Sequence, residues 1–188
     1  DPWPEHVNHM NKHGLRLDGV TRQECCVVPV KAIHLTEVQA LSKGRPVDIA
    51  FICVKSYDTE WATAMIKQYL APDGFVVSLQ NCMNEETVAR VAGADRTVGC
   101  IASTIAGELV GPGHVQRNVP LGDEEHIVFR VGEMHGRITD RALEVAALLR
   151  NADSAKATSN LWGERWSKLI VNGMRNGLSA ATGMSGKV

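Results

Sequence analysis

Short apolar runs alternate with longer stretches of helical period along most of the chain. Two runs, VDIAFICVK at 47–55 and FVVSLQN at 75–81, are continuous enough for strands buried on both faces. Between them, the apolar residues of 58–74 have helical spacing and predict a helix, which the Pro-Asp-Gly at the end of this stretch stops. A shorter helix is predicted at 84–93. This order predicts right-handed crossovers and the α/β class: a Rossmann-like, mostly parallel sheet with helices on both faces.

Further elements are predicted on both sides of this core, and from about residue 160 the alternation gives way to one long helix. We therefore predict a nucleotide-binding domain over 1–159 and the start of an α-helical substrate and dimerisation domain over 160–188. The remaining predicted elements are an extended pair at 14–20 and 24–30, a short helix at 35–44, strands in 97–109, 114–118 and 126–132 around a turn at 111–113, and a helix over 138–152.

The long helix carries a polar row. Lys168, Asn172 and Asn176 recur every four residues in WSKLIVNGMRNGLSA, and each such step turns an α-helix by only about 40°. Apolar side chains flank the row, so part of it is expected to lie against protein or ligand rather than water. These flanking residues are Trp162, Trp166, Leu169, Ile170, Met174 and Leu178.

Two further polar residues directly follow the predicted buried strands. Lys55 ends the first run and Asn81 the second, and ligands of parallel sheets collect at the carboxyl ends of the strands. A simpler interpretation remains open, in which Lys55 is a loop charge and Asn81 a turn former that bonds its own backbone.

Composition and charge favour a small-molecule partner. The 188 residues carry 20 basic and 21 acidic side chains, a net charge of −1, with no long run of one sign. This balance argues against nucleic acid or an anionic membrane as the partner. No apolar run approaches the roughly 20 residues of a membrane span, and no leader opens the chain.

The cysteines and histidines indicate the compartment and argue against a metal. Five cysteines, an odd number without a C-x-x-C pair, lie partly in apolar runs, as reduced thiols do, so a cytoplasmic location is expected. His6, His9 and His13 have helical spacing and are expected to face solvent. We predict no metal site.

Four segments together give the chain a resemblance to the 2-dehydropantoate 2-reductase (ketopantoate reductase) family. The segments are VKSYDTE, SLQN followed by acidic residues, GPGHV and, most specifically, WSKLIVNGMRN. They occur in the family's order, and the resemblance covers nearly the whole chain.

The resemblance implies an NAD(P)-dependent oxidoreductase of pantothenate biosynthesis that passes hydride to the keto carbon of a 2-oxo acid, converting 2-dehydropantoate to pantoate. It implies that Lys168 donates the proton, that Asn172 and Asn176 hold the substrate, and that Lys55 and Asn81 line the cofactor cleft. The implied cofactor is NADP, and the helical domain would form a homodimer. NAD stays open because Asp1, if it ends the second strand of the fold, would accept hydrogen bonds from ribose hydroxyls.

The chain departs from the family pattern in two respects. No G-x-G-x-x-G occurs, so we expect the glycine-rich strand, turn and helix to precede Asp1, and a serine and a glutamate to follow Val188. Cys82 replaces the family's usual glycine, which keeps open a relative that acts on another keto acid or an opine-type substrate. A non-catalytic nucleotide-binding sensor is the alternative from a different class.

Overall fold

The structure, a computed structural model, describes residues 1–184. The last four residues of the predicted segment 160–188 lie outside the described residues. Two compact units are present: unit 1 contains Asp1–Pro46 and Thr104–His126, and unit 2 contains Val47–Ser103 and the chain from Ile127 onward. The domain boundary near residue 160 stays a prediction.

The helices and strands are numbered in chain order. The α-helices are α1 (Pro4–His13), α2 (Thr59–Lys67), α3 (Glu85–Ala92), α4 (Asp140–Leu149) and α5 (Leu161–Thr182). The strands are β1 (Leu15–Asp18), β2 (Cys26–Val28), β3 (Val47–Ile52), β4 (Leu70–Ser78), β5 (Thr97–Ala102), β6 (Gly107–Gly111), β7 (His114–Arg117), β8 (Phe129–Glu133) and β9 (Ala155–Thr158). Short 3-10 helices cover Arg22–Glu24, Leu35–Lys43, Ser56–Asp58 and Ala94–Arg96.

Unit 2 contains a five-stranded sheet in the order β3-β4-β5-β8-β9. Only the central β5–β8 pair is antiparallel, and the other neighbours run parallel. Helices cover both faces. Phe75 and Val77 of β4 pack in one core cluster with α4, whereas Val76 between them packs in a second cluster with α2 and α3. The predicted Rossmann-like class, with its mostly parallel sheet, is confirmed.

Helix α5 approaches this sheet over two glycines. Gly99 of β5 and Gly132 of β8 are direct register partners, and the Cβ that either residue lacks would lie within 3.0 Å of the Leu161 side chain. Leu161, the first residue of α5, is only 1% exposed. The missing side chains therefore create the space in which the helix begins.

Unit 1 contains a second sheet in the order β2-β1-β7-β6. β1 and β2 form the predicted extended pair, and β6 and β7 form a hairpin around the predicted Gly-Pro-Gly turn. Gly113 has φ +65°, a left-handed value that suits glycine, and its N–H donates to His6 Nδ1. The predicted short helix at 35–44 is a 3-10 helix.

One predicted element is wrong, and one strand was missed. The helix predicted over 58–74 ends at Lys67, and strand β4 begins at Leu70. The Pro-Asp-Gly segment lies within β4, at an irregularity where the β3–β4 register shifts between Val47 and Ile49. Strand β9 was not predicted because AKAT has no apolar run, yet it pairs with β8 at the sheet edge. Among residues 1–184, no helix is both long and apolar enough to cross a membrane.

Gly99→Ala is expected to destabilise the protein. The new Cβ would lie 2.6 Å from a Leu161 methyl group and 3.0 Å from Glu85 Oε1. We expect a loss of about 1–3 kcal/mol, typical of overpacking a tight core. Denaturant unfolding measures this loss.

Gly173→Ala is the matched control, since a Cβ at this α5 position meets nothing within 4 Å. It should stabilise the protein by about 0.5–1 kcal/mol through helix propensity. Equal effects at the two positions would contradict the proposed close approach of α5.

Candidate active site

Lys168 lies over the carboxyl ends of two neighbouring parallel strands. Its Nζ donates to Asn81 Oδ1 at 2.7 Å and to the carbonyl oxygen of Ala102 at 2.5 Å. Ala102 is the last residue of β5, and Asn81 lies three residues beyond the end of β4. An ammonium has three N–H groups, so these two bonds leave one for a ligand.

One turn earlier on α5, Arg165 is completely buried. Its Nε and Nη2 donate to the same carboxylate oxygen of Glu85, and Nη1 donates to the carbonyl of Gln80 at 2.6 Å. Nη2 also reaches the carbonyls of Cys100 at 3.0 Å and Ser78 at 3.3 Å. The guanidinium therefore joins α5 to α3 and to the ends of β4 and β5.

Two side-chain amides hold together the segments that follow β3 and β4. Gln80 Nε2 donates to the carbonyl of Val54 at 2.7 Å and to Thr59 Oγ1 at 2.9 Å. Asn84 Nδ2 donates to the backbone carbonyl of Asn81 at 2.8 Å and to Ser56 Oγ at 3.1 Å. These bonds fix the backbone that presents the Asn81 side chain to Lys168.

The environment of Lys168 disfavours its charged form relative to a lysine in water. Burial lowers the pKa of the Lys168 ammonium, and the positive charge of Arg165 lowers it further. The Cys82 and Cys100 side chains oppose this shift only when they are thiolates. Burial raises the pKa of Cys100 to about 12, so this thiol is neutral near neutral pH. The two direct acceptors, an amide and a backbone carbonyl, are uncharged.

A cavity of about 370 Å³ lies beside the ends of β3 and β4 and is lined in part by Lys55, Asn81 and Cys82. The structure thus brings together two residues predicted at strand ends, and Asn81 links them to Lys168. Cys82 has φ +66°, a left-handed backbone conformation that is costly for a residue with a side chain. It is exposed at the cavity.

The structure does not bring Asn172 and Asn176 into contact with this cluster. Asn172 and Asn176 are exposed, one and two turns beyond Lys168 on α5. Asp1 belongs to unit 1, where its carboxylate accepts from the Trp3 N–H at 2.8 Å and its backbone nitrogen donates to the carbonyl of Ile33. Within the described part of the chain, no group of three or more metal-ligating side chains is found.

Sequence reasoning missed Arg165, Glu85, Gln80 and Asn84. Arg165 carried one signal, because it lies four residues after the apolar Leu161 and three before Lys168, on the side of α5 that faces the sheet. Nothing in the spacing of Gln80 or Asn84 distinguishes them from ordinary polar residues at the end of a strand.

The five-stranded sheet, with helices on both faces and polar side chains at its strand ends, places the protein in the Rossmann-like class. The sequence model of the family described as "Ketopantoate reductase PanE/ApbA" matches residues 1–126, more than half of the chain. The chain therefore belongs to the ketopantoate reductase family.

Individual relatives agree with this assignment. The chain is 33% identical over 171 residues to a 2-dehydropantoate 2-reductase of Archaeoglobus fulgidus, an alignment that covers 90% of this chain and 51% of the relative. A second 2-dehydropantoate 2-reductase, of Pyrococcus horikoshii, is 28% identical over 180 residues, 93% of this chain and 52% of the relative. The chain thus spans about half the length of the curated relatives it matches.

Solved structures share the fold. A ketopantoate reductase of Ralstonia eutropha superposes with a TM-score of 0.74 at 28% identity, covering 97% of this chain and 55% of that chain. A ternary structure of D-mandelate dehydrogenase with NADH and anilino(oxo)acetate superposes with a TM-score of 0.73 at 21% identity, covering 95% and 54% of the two chains. The latter similarity is one of fold.

Lys168 is expected to titrate below the range of free lysine, because burial and Arg165 both disfavour its charged form. Competitive labelling with trace acetic anhydride, read by mass spectrometry across pH, measures the titration midpoint of each lysine. A midpoint at or above that of free lysine would show that the ammonium is solvated and that the described contacts are not formed.

Cys82→Gly is expected to stabilise the protein by about 0.5–1 kcal/mol, because glycine adopts positive φ without steric cost. Cys82→Ala is the control, since it removes the thiol but keeps the Cβ, and it should bring no such gain. Denaturant unfolding of both variants measures the difference, and an equal gain would assign the effect to the thiol.

Proposed function

We propose that the protein reduces a 2-oxo acid with hydride from a nicotinamide cofactor, and that the substrate is 2-dehydropantoate. The observation that carries this proposal is the half-buried Lys168 ammonium at the carboxyl ends of β4 and β5, in a member of the ketopantoate reductase family. The relatives from Archaeoglobus fulgidus and Pyrococcus horikoshii bear the name of this reaction.

Lys168 has the properties that the proton-donating step requires. Reduction of a keto carbon places negative charge on its oxygen, and a cation with a transferable proton lowers that barrier. Asn81 and Ala102 orient the ammonium through neutral oxygens. Because no countercharge lies on these direct partners, the ammonium remains acidic, and its third N–H is directed to the substrate oxygen in this proposal.

The residues at the strand ends suit a dinucleotide. A bound nicotinamide cofactor supplies the hydride. Lys55, a cation in the cavity beside β3 and β4, is assigned to cofactor phosphate or ribose oxygens, and Asn81 to the cleft between cofactor and substrate. NADP is the proposed cofactor. NAD is the alternative, in which Asp1 would accept hydrogen bonds from the ribose hydroxyls.

Asn172 and Asn176 are proposed to hold the substrate. They continue the row of Lys168 along α5, and both are exposed. An amide both donates and accepts hydrogen bonds without charge, so it orients hydroxyl and carboxylate groups without competing for the proton of Lys168.

Cys82 favours a second candidate, the reduction of another 2-oxo acid or an opine-type reaction on the same scaffold. Its side chain occupies cavity wall that a glycine would leave open. A screen of 2-oxo acids with both cofactors distinguishes the two substrates. Binding of cofactor without turnover of any 2-oxo acid would instead indicate a non-catalytic nucleotide sensor.

The proposal includes a homodimer formed through the helical segment that begins with α5. Trp166, Ile170, Met174 and Leu178 recur every four residues on this helix and are all more than half exposed. Such an apolar row needs cover in the assembled protein. A cytoplasmic location completes the proposal and is supported by five free thiols.

Lys168→Ala is expected to lower kcat about 10²- to 10⁴-fold in the full-length protein while leaving the cofactor Kd nearly unchanged, because it removes the proton donor. Steady-state kinetics and a fluorescence titration of cofactor measure the two quantities. For the wild type, kcat should fall as pH rises through the lowered pKa of Lys168, since the donor must be protonated.

Lys156→Ala is the control for a lost lysine charge, since Lys156 is exposed on the edge strand β9. It should leave both kcat and the cofactor Kd unchanged. If Lys168→Ala behaved like this control, Lys168 would not be the proton donor.

A further inference from the structure

We infer that Arg165 and Glu85 form a positioning pair that holds the Lys168 ammonium at the ends of β4 and β5. The inference rests on the proposed function for its kinetic consequences, and on the described contacts alone for its structural ones. Neither residue is assigned to the substrate or the cofactor.

Arg165 and Lys168, two of the three cationic residues of α5, bind the same two chain segments. Arg165 binds the carbonyl of Gln80, which immediately precedes the Asn81 that Lys168 binds. It also binds the carbonyl of Cys100, two residues before the Ala102 that Lys168 binds. Because Arg165 and Lys168 are three residues apart on one helix, fixing the first fixes the height and rotation of the second.

The pair is rigid. Arg165 is 1% exposed and Glu85 is fully buried. The guanidinium is planar, and it makes five hydrogen bonds with acceptors on α3, β4, β5 and the segment that follows β4. Glu85 is the first residue of α3, where the helix dipole favours a carboxylate. Few rotamers satisfy all these partners together.

Packing alone does not account for the pair. Replacing a buried ion pair by apolar residues of similar volume is often neutral or stabilising, since desolvation of the two charges opposes their attraction. Here the cost is increased, because Ser78 Oγ, Gln80 Oε1 and Glu85 Oε2 are buried without a hydrogen-bond partner among the described residues. A polar cluster that costs stability next to Lys168 is consistent with a role in positioning it.

Four titratable groups define the electrostatics. Three of them act on Lys168: Arg165 on α5, the Cys82 side chain in the segment after β4, and the Cys100 side chain on β5. The fourth, Glu85 on α3, binds Arg165. Because Glu85 is ion-paired with Arg165, we expect its negative charge to offset part of the Arg165 charge that acts on Lys168. Removing Glu85 alone and removing both charges should therefore move the Lys168 titration in opposite directions.

The experiment compares Glu85→Gln with the double variant Glu85→Gln, Arg165→Met. We expect the Lys168 labelling midpoint to fall in the single variant, where Arg165 loses its countercharge, and to rise in the double variant, where the like charge is gone. A rise of both midpoints toward that of free lysine would show that either change loosens the site in general, and it would overturn the inference. Unchanged midpoints in both variants would overturn the inference.

Arg141 and Glu133 provide the matched control. They form a second Arg–Glu ion pair, in which Glu133 is buried, Arg141 is partly exposed, and Nε and Nη2 each lie 2.7 Å from a Glu133 oxygen. Neither residue contributes to the shift of Lys168. Glu133→Gln, Arg141→Met should leave the Lys168 midpoint unchanged whatever its effect on stability. A shift equal to that of the Arg165 variant would attribute the effect to a non-specific change.

Kinetics separates this inference from the proposed function. The variant Glu85→Gln, Arg165→Met should lose about 10- to 100-fold in kcat with little change in cofactor Kd, since a misplaced donor weakens the chemical step. The pH at which its kcat falls on the alkaline side should shift together with the Lys168 midpoint. If the wild type reduces no 2-oxo acid, the proposed function fails while the labelling result still tests the pair. Normal kcat in a variant with a shifted midpoint would show that Arg165 tunes Lys168 without positioning it for the reaction.

Discussion

The site depends on the hydrogen bonds that the buried guanidinium of Arg165 makes with α3 and with the ends of β4 and β5. A helix packed against a sheet through apolar side chains alone can slide or rotate at modest cost, since apolar contacts have no direction. Arg165 removes that freedom by binding carbonyls at the ends of β4 and β5 and a carboxylate on α3. Because these bonds fix the rotation of α5 at Arg165, they also fix the position of Lys168, which lies almost one turn further on.

The two glycines beneath Leu161 complement this polar constraint. Gly99 and Gly132 allow α5 to begin close to the sheet, and Arg165, one turn further on, is then within reach of the strand ends. Lys168 follows after almost another turn and reaches Asn81 and Ala102. Steric space sets the distance of the helix from the sheet, and hydrogen bonds set its rotation.

The sequence predicts the part of this arrangement that has a periodic signal. The apolar runs of β3 and β4 predict a doubly covered sheet because burial on both faces requires them, and the four-residue repeat distinguishes Lys168 from other lysines. Arg165 escapes prediction, because the carbonyls that compensate its burial come from residues 65 to 87 positions away in sequence. β9 could not be predicted, because an edge strand needs little apolar surface and AKAT therefore contains no apolar run. Asn172 and Asn176 share the spacing of Lys168, but only Lys168 has described partners across the chain.

The order of the two units along the chain has a consequence for folding. β1 pairs in parallel with β7, so the N-terminal sheet stays incomplete until His114–Arg117 has been synthesised, after β3, β4 and β5 have already emerged. A two-stranded hairpin is only marginally stable in water. During that interval the edge of β1 that later receives β7 is open to pairing with a strand of another chain.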